Sequence, residues 1–87
     1  MDLGRKKVTV QALAAWLLWQ LTGKGATGVE ILPQEGTPRC LVSVKLAAGG
    51  GFVQEELDGD VWWKLSPKEQ ERDAKRLRQE LERRASA

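Results

Sequence analysis

DGDVWWKLSPKEQERDAKRLRQELERR, residues 58–84, changes character halfway, from two adjacent tryptophans to an almost wholly charged tail. Asp58-Gly59 is a strong two-residue hairpin signal, because both residue types tolerate the left-handed backbone that such turns require. On that reading Phe52–Leu57 and Val61–Leu65 are the arms of one hairpin, with Glu55 opposite Trp62 and Gln54 opposite Trp63. A strand's period of two sends the tryptophans to opposite faces. Trp63 joins Phe52, Val61 and Leu65 as a core residue, while Trp62 shares the more polar face with Glu55 and Lys64.

Ser66-Pro67-x-Glu69 then switches the chain to helix over 67–84. Serine is an N-cap, proline suits the first helical position, and the glutamate completes a capping box. Ala74, Leu77 and Leu81 make a narrow apolar stripe on this helix. Glu71–Lys75 and Glu80–Arg84 are i,i+4 pairs worth only about 0.3–0.5 kcal/mol each.

Upstream, residues 27–66 read as an antiparallel sheet. Val29 and Ile31 mark a first strand, ended by Pro33 and the turn-rich run 34–38. Cys40, Val42, Val44 and Leu46 alternate with Leu41, Ser43 and Lys45 in a second strand, and Ala47–Gly51 connects to the third. Val61–Leu65 is the fourth.

Before the sheet, residues 9–22 have helical spacing, with Thr9 as N-cap and Gly23 and Gly25 as the stop. Val10, Leu13, Leu17 and Leu21 fall on one line, Leu18 and Trp16 flank it, and Trp19 points nearly away from it. The polar face holds little beyond Gln11 and Gln20. A helix apolar most of the way round needs cover on more than one side, and a second subunit or a partner would supply it. Residues 1–8 read as a flexible basic start. The expected fold class is therefore α+β: one small domain, 1–87, an antiparallel four-stranded meander flanked by an N-terminal and a C-terminal helix, in the order α-β-β-β-β-α.

In element order, four strands followed by a helix beginning Leu65-Ser66-Pro67-Lys68-Glu69, this segment resembles the domain of single-stranded-DNA-binding transcription coactivators. The resemblance implies dimerisation through that helix and single-stranded DNA on the sheet. The strongly basic sheet that such binding wants is missing from this sequence.

At 87 residues the chain buries only about 60% of its unfolded surface, so self-association is a natural supplement. The net charge of +2 hides a pattern: both ends are mildly basic around an acidic middle. Dedicated nucleic-acid binders cluster a stronger excess. Cys40 is the single cysteine, so no intramolecular disulfide is possible and a reducing, cytoplasmic location is expected. Arg5-Lys6-Lys7 before an apolar stretch imitates a secretory leader, but Gln11, two tryptophans and the lack of a small-residue cleavage site argue that the segment stays in the fold. The longest apolar run, Ala12–Trp19, is well short of the ~18 residues of a membrane span.

The absence of histidine removes the usual general base and the usual nitrogen ligand for metals. One cysteine cannot make a structural zinc site. Glu55, Glu56, Asp58 and Asp60 cluster, yet a turn and a soluble sheet edge explain them. Asp58-Gly59-Asp60 lacks the remaining ligands of a calcium loop. Gly23–Gly28 runs from helix to strand, the reverse of a phosphate-cradling loop. Neither catalysis, nor a cofactor, nor a metal is expected, and Cys40 reads as a buried strand residue.

Three surfaces hold functional interest. The first is Trp16, Trp19 and Leu18 on the N-terminal helix, a candidate protein interface because tryptophan is enriched among interface anchors. The second is Trp62 with Lys45 and Lys64, where an aromatic between lysines would stack a base. The third is the Arg-rich end, in which Arg72, Arg76 and Arg83 would add phosphate contacts. Alternating charge there normally marks a solvated helix face. The first expectation is thus a non-catalytic assembly protein that forms a homodimer and docks onto a protein partner; the alternative is a single-stranded nucleic-acid module.

Overall fold

In the computed structural model, which describes residues 3–86, three antiparallel strands and three helices form one α+β unit. Thr9 caps α1 (Val10–Leu21), its hydroxyl accepting from the Ala12 N–H at 3.1 Å. A single 3₁₀ turn at Thr22–Lys24 ends it, and Gly25 (φ 94°) supplies the left-handed step into the sheet.

The strands β1 (Ala26–Pro33), β2 (Arg39–Leu46) and β3 (Phe52–Asp58) lie side by side in that order. Val29 pairs with Val44 and Ile31 with Val42; across β2, Val44 meets Val53 and Cys40 meets Leu57. These residues share one face, by the period of two. α1 and α3 (Pro67–Ala85) cover it, so that Leu13, Leu17, Val42, Val44, Leu77 and Leu81 form one core. Lys45, Leu41 and Phe52 lie on the opposite, uncovered face.

The expected four-stranded meander is wrong at its last strand. Asp58 does not turn a hairpin: its carboxylate accepts from the N–H groups of Asp60 (2.9 Å) and Val61 (3.0 Å) and so caps a short helix, α2 (Gly59–Lys64). Aspartate serves both purposes, as turn former and as N-cap. On a helix Val61, Trp62 and Trp63 are spaced by about 100°, so only one of the three faces inward. Trp62 is that residue, 1% exposed, while Trp63 is 52% exposed and Val61 stands out beside it. The expected inward Trp63 and outward Trp62 are therefore reversed. Five residues are too few to separate a period of two from one of 3.6.

With the fourth strand goes the likeness in element order to the coactivator domain. Ala74, Leu77 and Leu81 are fully buried against the chain's own sheet, so that stripe is closed to a helix-mediated dimer.

Residues 3–8, read as a flexible start, run along α2 and α3; Met1 and Asp2 lie outside the described residues. A Cβ at Gly4 (φ 88°) would come within 2.6 Å of Glu71 Oε2. Lys7 Nζ donates to the Trp63 carbonyl at 3.0 Å and sits 5.6 Å from the Trp63 ring centroid. The Val8 N–H donates to Gln70 Oε1 at 2.9 Å, and the Val8 carbonyl accepts from Trp62 Nε1 at 2.9 Å. Gln70 Nε2 closes the circuit on the Trp62 carbonyl at 2.9 Å.

Truncating the two tryptophans separates these readings. Trp62→Ala is expected to lose about 3–5 kcal/mol of unfolding free energy, as for other buried aromatics. Trp63→Ala is expected to lose below about 1 kcal/mol, the scale of an exposed cation–π contact. Urea denaturation of the two variants reads the difference directly.

Candidate docking surface

No charged side chain occurs anywhere in α1, and one stripe of it, Gln11, Ala15 and Trp19, is exposed. Leu13, Trp16, Leu17 and Leu21 face the core, and Gln20 accepts from Arg78 on α3 at 3.2 Å. Trp16, a candidate interface residue, is thus spent inside the molecule. Leu18 is half-buried against β1, and Trp19 is 74% exposed. Ala14, Ala15 and Leu18 form one wall of an open groove whose other wall is Val29, Ile31 and Pro33 of β1. Trp19 stands one helical turn beyond Ala15, on the exposed side of the helix.

This groove opens along the free edge of β1. In antiparallel pairing, alternate residues direct their backbone groups inward and outward. The Gln34 N–H bonds the Arg39 carbonyl at 3.1 Å, which fixes the parity: Leu32, Glu30 and Gly28 bond β2, whereas Pro33, Ile31 and Val29 face outward. Proline has no N–H to lose at such a position. Only Glu30 in β1 is charged, so the edge lacks the lysines and inward charges that normally discourage pairing.

The other edge is closed. Arg84 reaches from α3 to donate to the Gln54 carbonyl of β3 and pairs with Glu55 at 2.8 Å. Glu55 therefore lies beside Arg84, rather than opposite Trp62 as the hairpin reading placed it.

The residues expected to contact nucleic acid are not assembled. Trp62 is enclosed and its indole N–H is used on Val8. Lys45 lies on the uncovered sheet face, and α3, with Arg72, Arg76 and Arg83, packs on the other. Lys64 ends α2. Arg76 pairs with Asp73 at 2.9 Å, and Arg83 with Glu80. Arg72 takes no ion pair among the described residues. The Glu80 carboxyl is held below its ordinary range by hydrogen bonding from Arg83, and the Arg83 guanidinium is raised by the same contact. Glu69 is likewise lowered, first by the Ser66 backbone N–H (3.0 Å) and then by the Ser66 hydroxyl.

Among the described residues no three Cys, Asp or Glu side chains converge as metal ligands. Burial, with the Asp58 charge behind it, pushes the Cys40 thiol up, away from the reactive thiolate. Its Sγ donates to the Leu57 carbonyl at 3.5 Å. No helix is long and apolar enough to cross a membrane among the described residues.

Two features escaped the sequence. Gln70 precedes Ala74 by one turn, in line with Ala74, Leu77 and Leu81, and that spacing was the available signal. The other is the groove that α1 leaves beside β1: the first strand of a meander is an edge in the expected sheet as in the observed one, but nothing in the spacing shows that the helix leaves that edge open. No protein-family model, curated protein or solved structure matches this chain.

Depressed carboxyls make stability depend on acid. The contribution of Glu69 and Glu80 is full above the ordinary glutamate value of about 4.3 and is lost as pH falls through their lower folded values. Melting curves taken across that window are expected to fall less steeply with acid for Glu69→Gln than for the native chain.

Proposed function

We propose that this protein is a non-catalytic docking module whose working surface is the exposed side of α1 together with the free edge of β1. The observation that carries this reading is Trp19, 74% exposed on a helix with no charged side chain. Removing an aromatic of about 150 Å² from water is worth on the order of 4 kcal/mol before the losses of association. A lone exposed apolar residue needs no explanation, but this one stands one helical turn from Ala15 in the wall of a groove that opens along an unpaired strand edge. The lone buried thiol of Cys40 fits a reducing compartment, and a cytoplasmic location is part of the proposal.

Trp19→Lys is expected to keep the native melting curve and to abolish whatever complex the wild-type chain forms, whether with itself or with co-purifying protein. Sedimentation velocity and affinity co-purification of both forms make the test. The reading falls if the variant retains the same complexes, or if neither form makes any.

A second reading, single-stranded nucleic acid, is favoured by one observation: Trp63, not Trp62, is exposed, with Lys7 over its ring. Arg5, Lys6 and Lys7 are close in sequence to that contact, and base stacking on an aromatic is worth about 1–3 kcal/mol per base. On this reading single-stranded oligonucleotides quench tryptophan emission at low salt, Trp63→Ala removes the quenching, and affinity falls steeply with added salt. An unchanged emission spectrum at low salt sinks it.

A further inference from the structure

We infer that the occupant of this surface is a second copy of the same chain, added antiparallel through β1 about a two-fold axis centred on Val29. The inference rests on the docking reading above and supplies its partner. Residues that direct backbone groups outward must pair with one another, which restricts the alignment to a few registers. Centring the axis on Glu30 sets Glu30 directly opposite its own copy, a like-charge contact. Centring it on Ile31 sets Pro33, with no N–H, into the ladder opposite Val29. Centring it on Val29 avoids both: Val29 meets Val29 of the second copy, and Glu30 lies opposite Gly28.

That last register also completes a charge pair. In β2, Lys45 is the partner of Gly28, and both lie on the uncovered sheet face with Glu30. Within one chain Glu30 faces Ser43, with Lys45 diagonal to it on the same face, and neither has an ion-pair partner among the described residues. In the dimer Glu30 of each copy lies two strands from Lys45 of the other, with only the side-chain-free Gly28 between them. Two strand spacings are about 9.6 Å, a span that the lysine and glutamate side chains bridge together.

The same two-fold sets the two α1 helices on one side of a continuous six-stranded sheet. Ala14 and Ala15 are small enough for the helices to approach, and Leu18 and Trp19 fill the groove between them. On this register Ile31 meets Thr27 of the second copy, at the irregularity between Ala26 and Gly28, so residues 28–30 of the two copies carry the new ladder. Charge complementarity selects the register, and the apolar groove supplies the area.

The test is charge reversal with mixing, read by sedimentation velocity across the micromolar to millimolar range at low salt. Wild type is expected to be a dimer. Glu30→Lys and Lys45→Glu each place two like-charge contacts in a homodimer, and each alone is expected to dimerise about tenfold more weakly or worse. Mixed together, the two variants form a heterodimer in which both contacts are again opposite in sign. That rescue separates the inter-chain pair from any effect within one chain, and circular dichroism confirms that each variant is folded.

A wild-type chain that stays monomeric throughout overturns the second-copy occupant, while the docking reading is judged separately by co-purification with Trp19→Lys. A dimer that neither reversal weakens, or reversals that mixing does not rescue, overturns the β1 register.

Discussion

A single buried amide, that of Gln70, holds three separate parts of the chain together. It takes the Val8 N–H on its oxygen and gives its nitrogen to the Trp62 carbonyl, while Trp62 gives its indole N–H back to Val8. Each of these groups is out of contact with water, so each would be a substantial penalty if left unpaired. The circuit fixes the chain ahead of α1, the short helix α2 and the first turns of α3 in one arrangement. A six-residue helix has little stability alone, and α2 exists because its one inward residue is locked at both polar ends.

From that joint the rest of the layer structure follows. α3 leaves the Ser66 capping box pointed along the sheet, and its stripe closes over Val42 and Val44. Arg84 at its far end then reaches β3 and occupies that edge. α1, entering from Val8, covers the β1 side, but its girth of apolar residues exceeds what one narrow sheet can cover. Trp19 and the groove beside it are the remainder. The two sheet edges thus differ for a physical reason: one is met by the charged helix, the other by the uncharged one.

The docking surface and the uncovered face of the sheet meet along β1, which gives that strand two roles. Its inward side chains complete the core, and its outward backbone groups have no partner among the described residues. Glu30 and Lys45 lie diagonally on the uncovered face, neither in an ion pair among the described residues. An unpaired edge, an apolar groove and two complementary charges at matching offsets are better explained by one self-complementary contact than by three unrelated accidents.

Features set by neighbouring residues were legible before any folding. Thr9 and Ser66 start helices because their hydroxyls reach backbone N–H groups three residues on, whatever the rest of the chain does. The alternation through Cys40, Val42 and Val44 required a strand with one buried face. A chain without histidine and with one cysteine could be read as poor in the usual catalytic and ligating groups before any folding. The α+β character was legible on the same grounds.

What only the tertiary structure decided were the places where one local signal served two outcomes. Asp58-Gly59 suits a hairpin or a helix cap, and the choice was made by Val8 and Gln70, 50 and 12 positions away, which offered Trp62 a partnered site. That long-range pairing reversed the two tryptophans and removed a strand. It also left β3 as the second edge of the sheet, where Arg84 reaches it. Sequence spacing carries no record of such choices, because burial of a polar amide is settled by what meets it in space.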